Sequence, residues 1–427
     1  MFSRLIRPNW GLNPEIAKMV YKTVAEPMAL YGASIWHKIM ETKKYAQRLL
    51  KIQRRILVNA CRGNRTISYT SVFLVNNVIP VDIKIMERAA IEKAKSLTGI
   101  EPHLCFENLE MPVPTIKLPH PGERVRTGYT QMLNHNQIDE KILGDGIYIF
   151  TDGSKLDNRT GAASVFTANG QVIEQHQWRL ADGCSVFQAE LIAIKESISR
   201  SMQMNYSSIS IFSDSKSSLE SIANRMNCHP IVFDINKQID ILRGKNITTT
   251  LHWIKAHNNY KWNEMADELA KGATTLNQTS AIYKNIPISS FKYLCRQESN
   301  QKWMMRTATS CTGRWTNRLL PNTDIIKEFD QKIKSTKQIT QFLTGHGPTK
   351  HYLHRFKIAN DDKCPCDGHS SQTMEHVIQY CDGWARERHL LMTQHSIQPN
   401  DLLDIGKILA SNELTEDWLD FVTAIMD

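Results

Sequence analysis

No stretch of the sequence approaches the roughly 18 consecutive apolar residues that a membrane span needs, and the opening residues reach Arg4 and Arg7 before any apolar block forms. Neither a membrane segment nor a secretory leader is expected. Cysteine is sparse and unpaired in pattern. There are nine, an odd number, and all but Cys364, Cys366 and Cys381 are widely separated. A disulfide framework is therefore excluded and a reducing intracellular setting expected, with nucleus and cytoplasm equally open. No repeat of 20 to 50 residues is visible. At 41% hydrophobic and 22% charged, the composition is that of a folded, water-soluble protein, and 427 residues are too many for one ordinary core. Two or three domains are expected.

The net charge of +9 is unevenly placed. Residues 1–100 hold 17 Lys and Arg against 6 Asp and Glu, whereas 145–275 hold 13 against 14. Such an excess suits either a polyanionic partner or a solvated helix face. The run KKYAQRLLKIQRRILVNA supports an amphipathic helix, with Leu49, Leu50, Ile56 and Leu57 on one face and Arg48, Lys51, Arg54 and Arg55 elsewhere. Five prolines between 102 and 121 mark a linker over 99–144. Beyond Gly146, short β-rich runs and helical runs follow in the order β-β-β-α-β-α-α-β-α, which implies an α/β fold with one mixed sheet and helices packed on it. The chain turns helical again after Thr275, with a Cys/His-containing stretch over 345–381.

Within 145–275, Asp152 closes the first strand, Glu190 lies in the first helix, Asp214 ends a later strand, and Asp267 shares a helix face with Asn263. Any one of them has an ordinary structural reading, because turns and caps favour Asp. Four carboxylates in one cleft repel, and oxygen-bound divalent cations are the usual compensation. Paired Mg²⁺ ions are the standard machinery for in-line displacement at phosphorus.

The series TDGS, QAEL, SDS and WIKAHNNYKWNEMADELAK resembles the acidic signature of the ribonuclease H family, over about residues 145–275. The resemblance implies a ribonuclease H-like mixed five-stranded sheet between two helical regions. It implies hydrolysis of the RNA strand of RNA/DNA hybrids with two Mg²⁺ ions, for which Mn²⁺ can substitute. Asp152 would bridge both ions, Asp267 would complete one, and Glu190 and Asp214 would hold the other. His257 matches the family's mobile histidine, and Gly153, Ser154, Gln188 and Asn263 would contact the nucleic acid. Gly153 also reads as a turn residue and Gln188 as a helix cap.

Upstream, residues 9–95 resemble the thumb and connection that follow the polymerase palm in non-LTR retrotransposon reverse transcriptases, so Arg48, Lys51, Arg54 and Arg55 would track phosphates. This divides the chain into a basic segment 1–98, a linker 99–144, the nuclease 145–275 and a helical region 276–427. No polymerase motif is expected, since Asp361 and Asp362 are the sole adjacent aspartates and Ala359 stands where an aromatic residue belongs. The chain therefore resembles part of a larger polyprotein, with a reverse transcriptase as parent or partner. Cys364, Cys366, His376 and Cys381 resemble the Cys/His segment of such elements and offer one Zn²⁺ ligand set, with His369 as a spare. The alternative function is a decayed fragment that only binds nucleic acid.

Overall fold

The computed structural model describes residues 13–95, 109–125, 127–132, 134–142, 144–256 and 260–427. These fall into two compact units: one of residues 93–294, and one formed by 1–92 together with 295–427.

The first unit is built on strands β1 (Tyr129–Met132), β2 (Ile147–Leu156), β3 (Arg159–Ala168), β4 (Gln171–Leu180), β5 (Ser208–Ser213) and β6 (Thr248–Ile254). Its helices are α1 (His135–Ile142), α2 (Val186–Ser201), α3 (Lys216–Ala223), α4 (Pro230–Gly244) and α5 (Lys261–Ala273). Local chemistry fixes the two hairpins. Leu156 faces Arg159 and Ala168 faces Gln171 across two-residue turns. The turn residues Asp157, Asn158, Asn169 and Gly170 all have positive φ, the conformation that Asn and Gly tolerate and that matches strand twist.

The sheet order is β1-β6-β5-β2-β3-β4. β1, β6, β5 and β2 run parallel, and β3 and β4 are antiparallel additions. The sheet thus has six strands where five were expected. The sixth, β1, comes from the segment read as linker. Four residues with two exposed positions carry too little alternation to be recognised, and β1 forms because β6 offers it an open edge. That segment contributes again where Leu109 bridges to Ile286 and the Glu110 N–H donates to the Ile286 carbonyl at 2.8 Å.

One face of the sheet is covered by α2 and α4, whose Leu191, Ile194, Ile198, Ile235 and Ile239 pack on Ile147, Ile149, Ile209 and Ile211. On the other, Phe150, Phe212 and Val165 meet Tyr260 and Ala266. Two glycines set how closely helices approach. A Cβ at Gly153 would stand 2.6 Å from the Glu190 backbone nitrogen, and one at Gly161 would stand 2.5 Å from the Ala270 carbonyl oxygen.

The second unit is helical, and its two halves share one core. Leu57, Val58 and Val72 to Val75 from the amino-terminal part are buried in the same cluster as Phe342, Leu343, Trp418 and Val422. This differs from the separate segments 1–98 and 276–427 that the sequence suggests. The physical reason lies in Tyr69–Val75, where Ser71 to Val75 are all buried and so need cover on every side. Periodicity shows that a helix has an apolar face, and it does not show which distant helix covers it. Gln53 pins the arrangement from inside: its amide donates to the Tyr21 hydroxyl and the Ile79 carbonyl, and its oxygen accepts from the Val81 N–H.

Candidate acidic metal centre and Cys/His cluster

The parallel pairing of β2 with β5 ends at Thr151 and Ser213, so Asp152 and Asp214 emerge side by side one residue later. Helix α2 brings the third carboxylate. It starts with a capping box in which Ser185 and Gln188 satisfy each other's backbone N–H groups, and Glu190 lies two residues further on. Because Gly153 has no side chain, that first turn rests directly on β2. Asp152, Glu190 and Asp214 consequently each offer an oxygen within 4.8 Å of the others.

Asp152 and Glu190 are buried, at 7% and 5% exposure. Burial first, then the charges of Asp214 and Asp267, push the Asp152 carboxyl up to about 7, against hydrogen bonding from the Gly153 backbone. Glu190 lies well above the usual carboxylate range, for burial and for the charges of Asp152 and Asp214. Its Oε2 is buried without a hydrogen-bond partner. A divalent cation answers both features, since it supplies positive charge to a repelling group and a bond to an orphaned oxygen.

Asp267 stands outside the tight group. It lies near enough to raise Asp152, yet its Oδ2 is held by Lys271 Nζ at 2.6 Å, one helical turn on. Lys271 escaped the sequence reading, although the i,i+4 spacing was visible. So did Trp253, whose ring N–H donates to the Asp214 carbonyl at 3.0 Å and whose face lies 6.0 Å from Lys216 Nζ. His257 lies outside the described residues.

The expected nucleic-acid contacts divide. Ser154 is partly exposed beside the acids. Gly153 is a packing residue whose backbone N–H serves the carboxylates. Gln188 is fully buried, and its amide donates to Glu110 at 2.8 Å and to the Asn285 carbonyl at 3.1 Å. It therefore acts as the cap, with no donor left over for a hybrid. Asn263 is buried with its Oδ1 unpartnered, on the Asp267 face of α5. In the helical unit Arg48, Lys51 and Arg55 are exposed. Arg54 differs: it donates to the carbonyls of Arg65 and Ile67 and lies over the Tyr69 ring, tying a loop to its own helix.

The Cys/His residues also converge. Lys363 and Ser371 bridge across a turn containing Gly368, which has positive φ. Thr373 caps the short helix Met374–Gln379 that carries His376. Cys364, Cys366, His376 and Cys381 place their ligand atoms within 4.8 Å of one another, with Sγ to Sγ 3.6 Å for Cys364 and Cys381 and Sγ to Nε2 3.3 Å for Cys366 and His376. Tetrahedral Zn²⁺ with bonds of about 2.3 Å to sulfur and 2.0 Å to nitrogen spaces its ligands by about 3.5 to 3.8 Å, so the cluster fits that ion. His369 is not part of it.

The mixed sheet ends here in three converging carboxylates that could hold a metal ion. Residues 145–275 match the RNase H family model, and this segment is an RNase H domain. The chain is 30% identical over 97 residues to the Retrovirus-related Pol polyprotein from type-1 retrotransposable element R1 3 of Nasonia vitripennis, an overlap of 21% of this chain and 25% of that polyprotein. It is 28% identical over 81 residues to a putative 115 kDa protein in type-1 retrotransposable element R1DM of Drosophila melanogaster, covering 19% of this chain and 8% of that protein. The chain thus spans a quarter or less of the curated relatives it matches. Among solved structures, the N-terminal RNase H domain of a Mycobacterium tuberculosis protein aligns with 31% of this chain and 94% of its own, at 18% identity and a TM-score of 0.27.

Proposed function

We propose that the chain is a Mg²⁺-dependent endoribonuclease that hydrolyses the RNA strand of RNA/DNA hybrids, acting as part of a retroelement polyprotein beside a reverse transcriptase. The observation that carries this reading is the convergence of buried Asp152 and Glu190 with half-buried Asp214, with one Glu190 oxygen unpartnered. Asp152 feels the charges of both Asp214 and Asp267, so these carboxylates together with Glu190 would be the groups that hold the cations. Bound ions would polarise the attacking water and stabilise the leaving oxygen, with Mn²⁺ able to replace Mg²⁺. The protein's own part is positional. Gly153 keeps Glu190 against β2, Trp253 holds the backbone of Asp214, and Lys271 orients Asp267. Ser154, partly exposed two residues after Asp152, would sense a substrate 2′-hydroxyl.

Arg48, Lys51 and Arg55 would add phosphate contacts from the helical unit, and Zn²⁺ at the Cys/His cluster would fix the loop around it without entering the hydrolysis. The test is incubation of the full chain with labelled hybrid, duplex RNA and duplex DNA, in Mg²⁺ and then in EDTA. Loss of the RNA strand from the hybrid alone, abolished by EDTA and by Asp152→Asn, is the expected result. Binding of the hybrid without cleavage in Mg²⁺ or Mn²⁺ would instead leave a binding protein with an inactive centre.

A further inference from the structure

The helical unit contains a cavity of about 510 Å³ that the nuclease reading does not use. Its walls come from four stretches far apart in sequence: Thr66–Ser71, Cys311–Trp315, Thr344–Phe356 and Thr373–Glu375. Hydrogen bonds lock these stretches together. Thr66 and Tyr352 share one at 2.9 Å between their hydroxyls, Asn64 donates to the His346 carbonyl at 3.1 Å, Thr316 donates to Ser71 at 2.7 Å, and the Trp315 ring N–H donates to the Phe342 carbonyl at 2.7 Å. The backbone is also shaped for the cavity. Gly313 and Gly345 both have positive φ, and a Cβ at Gly313 would stand 2.9 Å from the Ser68 and Ser71 hydroxyls. This is a preformed pocket, of the size that takes a small ligand.

Its chemistry has two parts. His346, Tyr352 and Phe356 form a row of rings with centroids 5.0 and 4.9 Å apart. Phe356 is 41% exposed, and the Tyr352 ring is fixed by its hydroxyl bond to Thr66. Beside the row stand two exposed cations, Arg314 and Arg355. Among the described residues neither forms an ion pair with a carboxylate, and Arg355 lies 6.0 Å from the Phe356 ring centre. The acid in the lining, Glu375, is engaged by Arg318 at 2.8 Å. His351, also in the lining, lies 3.9 Å from Asp362.

We propose that this pocket binds single-stranded nucleic acid by taking one unpaired base against the Tyr352 row, with Arg314 and Arg355 on the flanking phosphates. Ring faces recognise any base whose own face is free, and arginines follow the backbone irrespective of sequence. A duplex hides its base faces in the stack and has nothing to offer the rings. The site is distinct from the acidic centre, so it holds or drops independently of the hydrolytic reading.

The test measures binding of labelled 12-nucleotide single-stranded DNA and RNA, with duplex DNA as comparison, to the full 427-residue chain across a salt series. Tyr352→Leu, which keeps bulk and removes the ring, weakens single-strand binding about tenfold, while Tyr352→Phe, which keeps the ring and loses only the hydroxyl bond to Thr66, loses clearly less. Arg314→Ala with Arg355→Ala lowers the slope of log affinity against log salt by about 1.4, two contacts at roughly 0.7 each on a single strand. The DNA and RNA arms show which strand is preferred; weakening of either supports the pocket. Cleavage of a short hybrid by the same preparations reports whether the acidic centre is intact. Parent-like single-strand binding by Tyr352→Leu, or an equal loss of duplex binding, overturns the proposal.

Discussion

Asp152→Asn should make the nuclease domain more stable without metal while abolishing its activity. The argument starts from burial: Asp152 is 7% exposed and faces two other acids. A carboxyl moved from its ordinary 3.8 to about 7 binds its proton more tightly folded than unfolded. Stability from this group is therefore full below about pH 4 and is lost as pH rises to 7. At 1.36 kcal/mol per pH unit the displacement corresponds to about 4 kcal/mol. Repulsion shared with Glu190 and Asp214 makes about 2 to 4 kcal/mol the expected gain for the neutral amide at pH 8. Because the chain has two units, its global unfolding is not a two-state measurement. Hydrogen exchange of β2 peptides, followed by mass spectrometry in EDTA, reads the site locally. The parent chain should gain protection from pH 8 to pH 5, beyond the intrinsic change in exchange rate, and Asp152→Asn should be protected at both. Adding Mg²⁺ should narrow the difference, since an ion at 100 times its dissociation constant stabilises the parent by about 2.7 kcal/mol and the variant by less. Faster β2 exchange in Asp152→Asn than in the parent, at pH 8 in EDTA, would refute the reasoning.

Three further outcomes follow from the geometry. Gln188→Ala should cost about 1 to 3 kcal/mol in stability, because it removes a cap and the donor to Glu110 and Asn285; hybrid KM should be unchanged, and a raised KM at normal stability would restore a substrate contact. Purified chain should carry about one zinc per molecule, and Cys381→Ser should lose it on exposure to a mild chelator, as read by elemental analysis; retention of the ion would exclude Cys381 from the ligands. Gln53→Leu should destabilise the helical unit by about 2 to 4 kcal/mol in denaturant titration, since the Val81 N–H, the Ile79 carbonyl and the Tyr21 hydroxyl all lose their partner. A change under 1 kcal/mol would show that water replaces the amide.

Much of the site was legible because it is local. Asp214 follows a strand rich in alternating or β-branched residues, and Glu190 sits one turn beyond a readable cap, so the sequence places these two at element ends; Asp152, expected to close the first strand, lies inside β2, which runs on to Leu156 because β3 continues to pair with it. What escaped is of two kinds. Trp253 and Lys271 act through groups whose position depends on neighbouring elements, although the i,i+4 step from Asp267 offered a hint for Lys271. The family resemblances make Arg54 and Gln188 nucleic-acid contacts, and nothing in a one-dimensional pattern distinguishes a free cation or amide from one already bonded to the protein.

The sequence alone determined the order of strands and helices over 145–275 and the identity of the acids, because these depend on side-chain period and on charge along a short stretch of chain. Only the tertiary structure decided that a segment rich in prolines supplies a sixth strand, that the two ends of the chain fold into one core, and that four remote stretches enclose an aromatic and cationic pocket. Those outcomes depend on which distant apolar face or open sheet edge covers which, and that choice is made by packing in three dimensions.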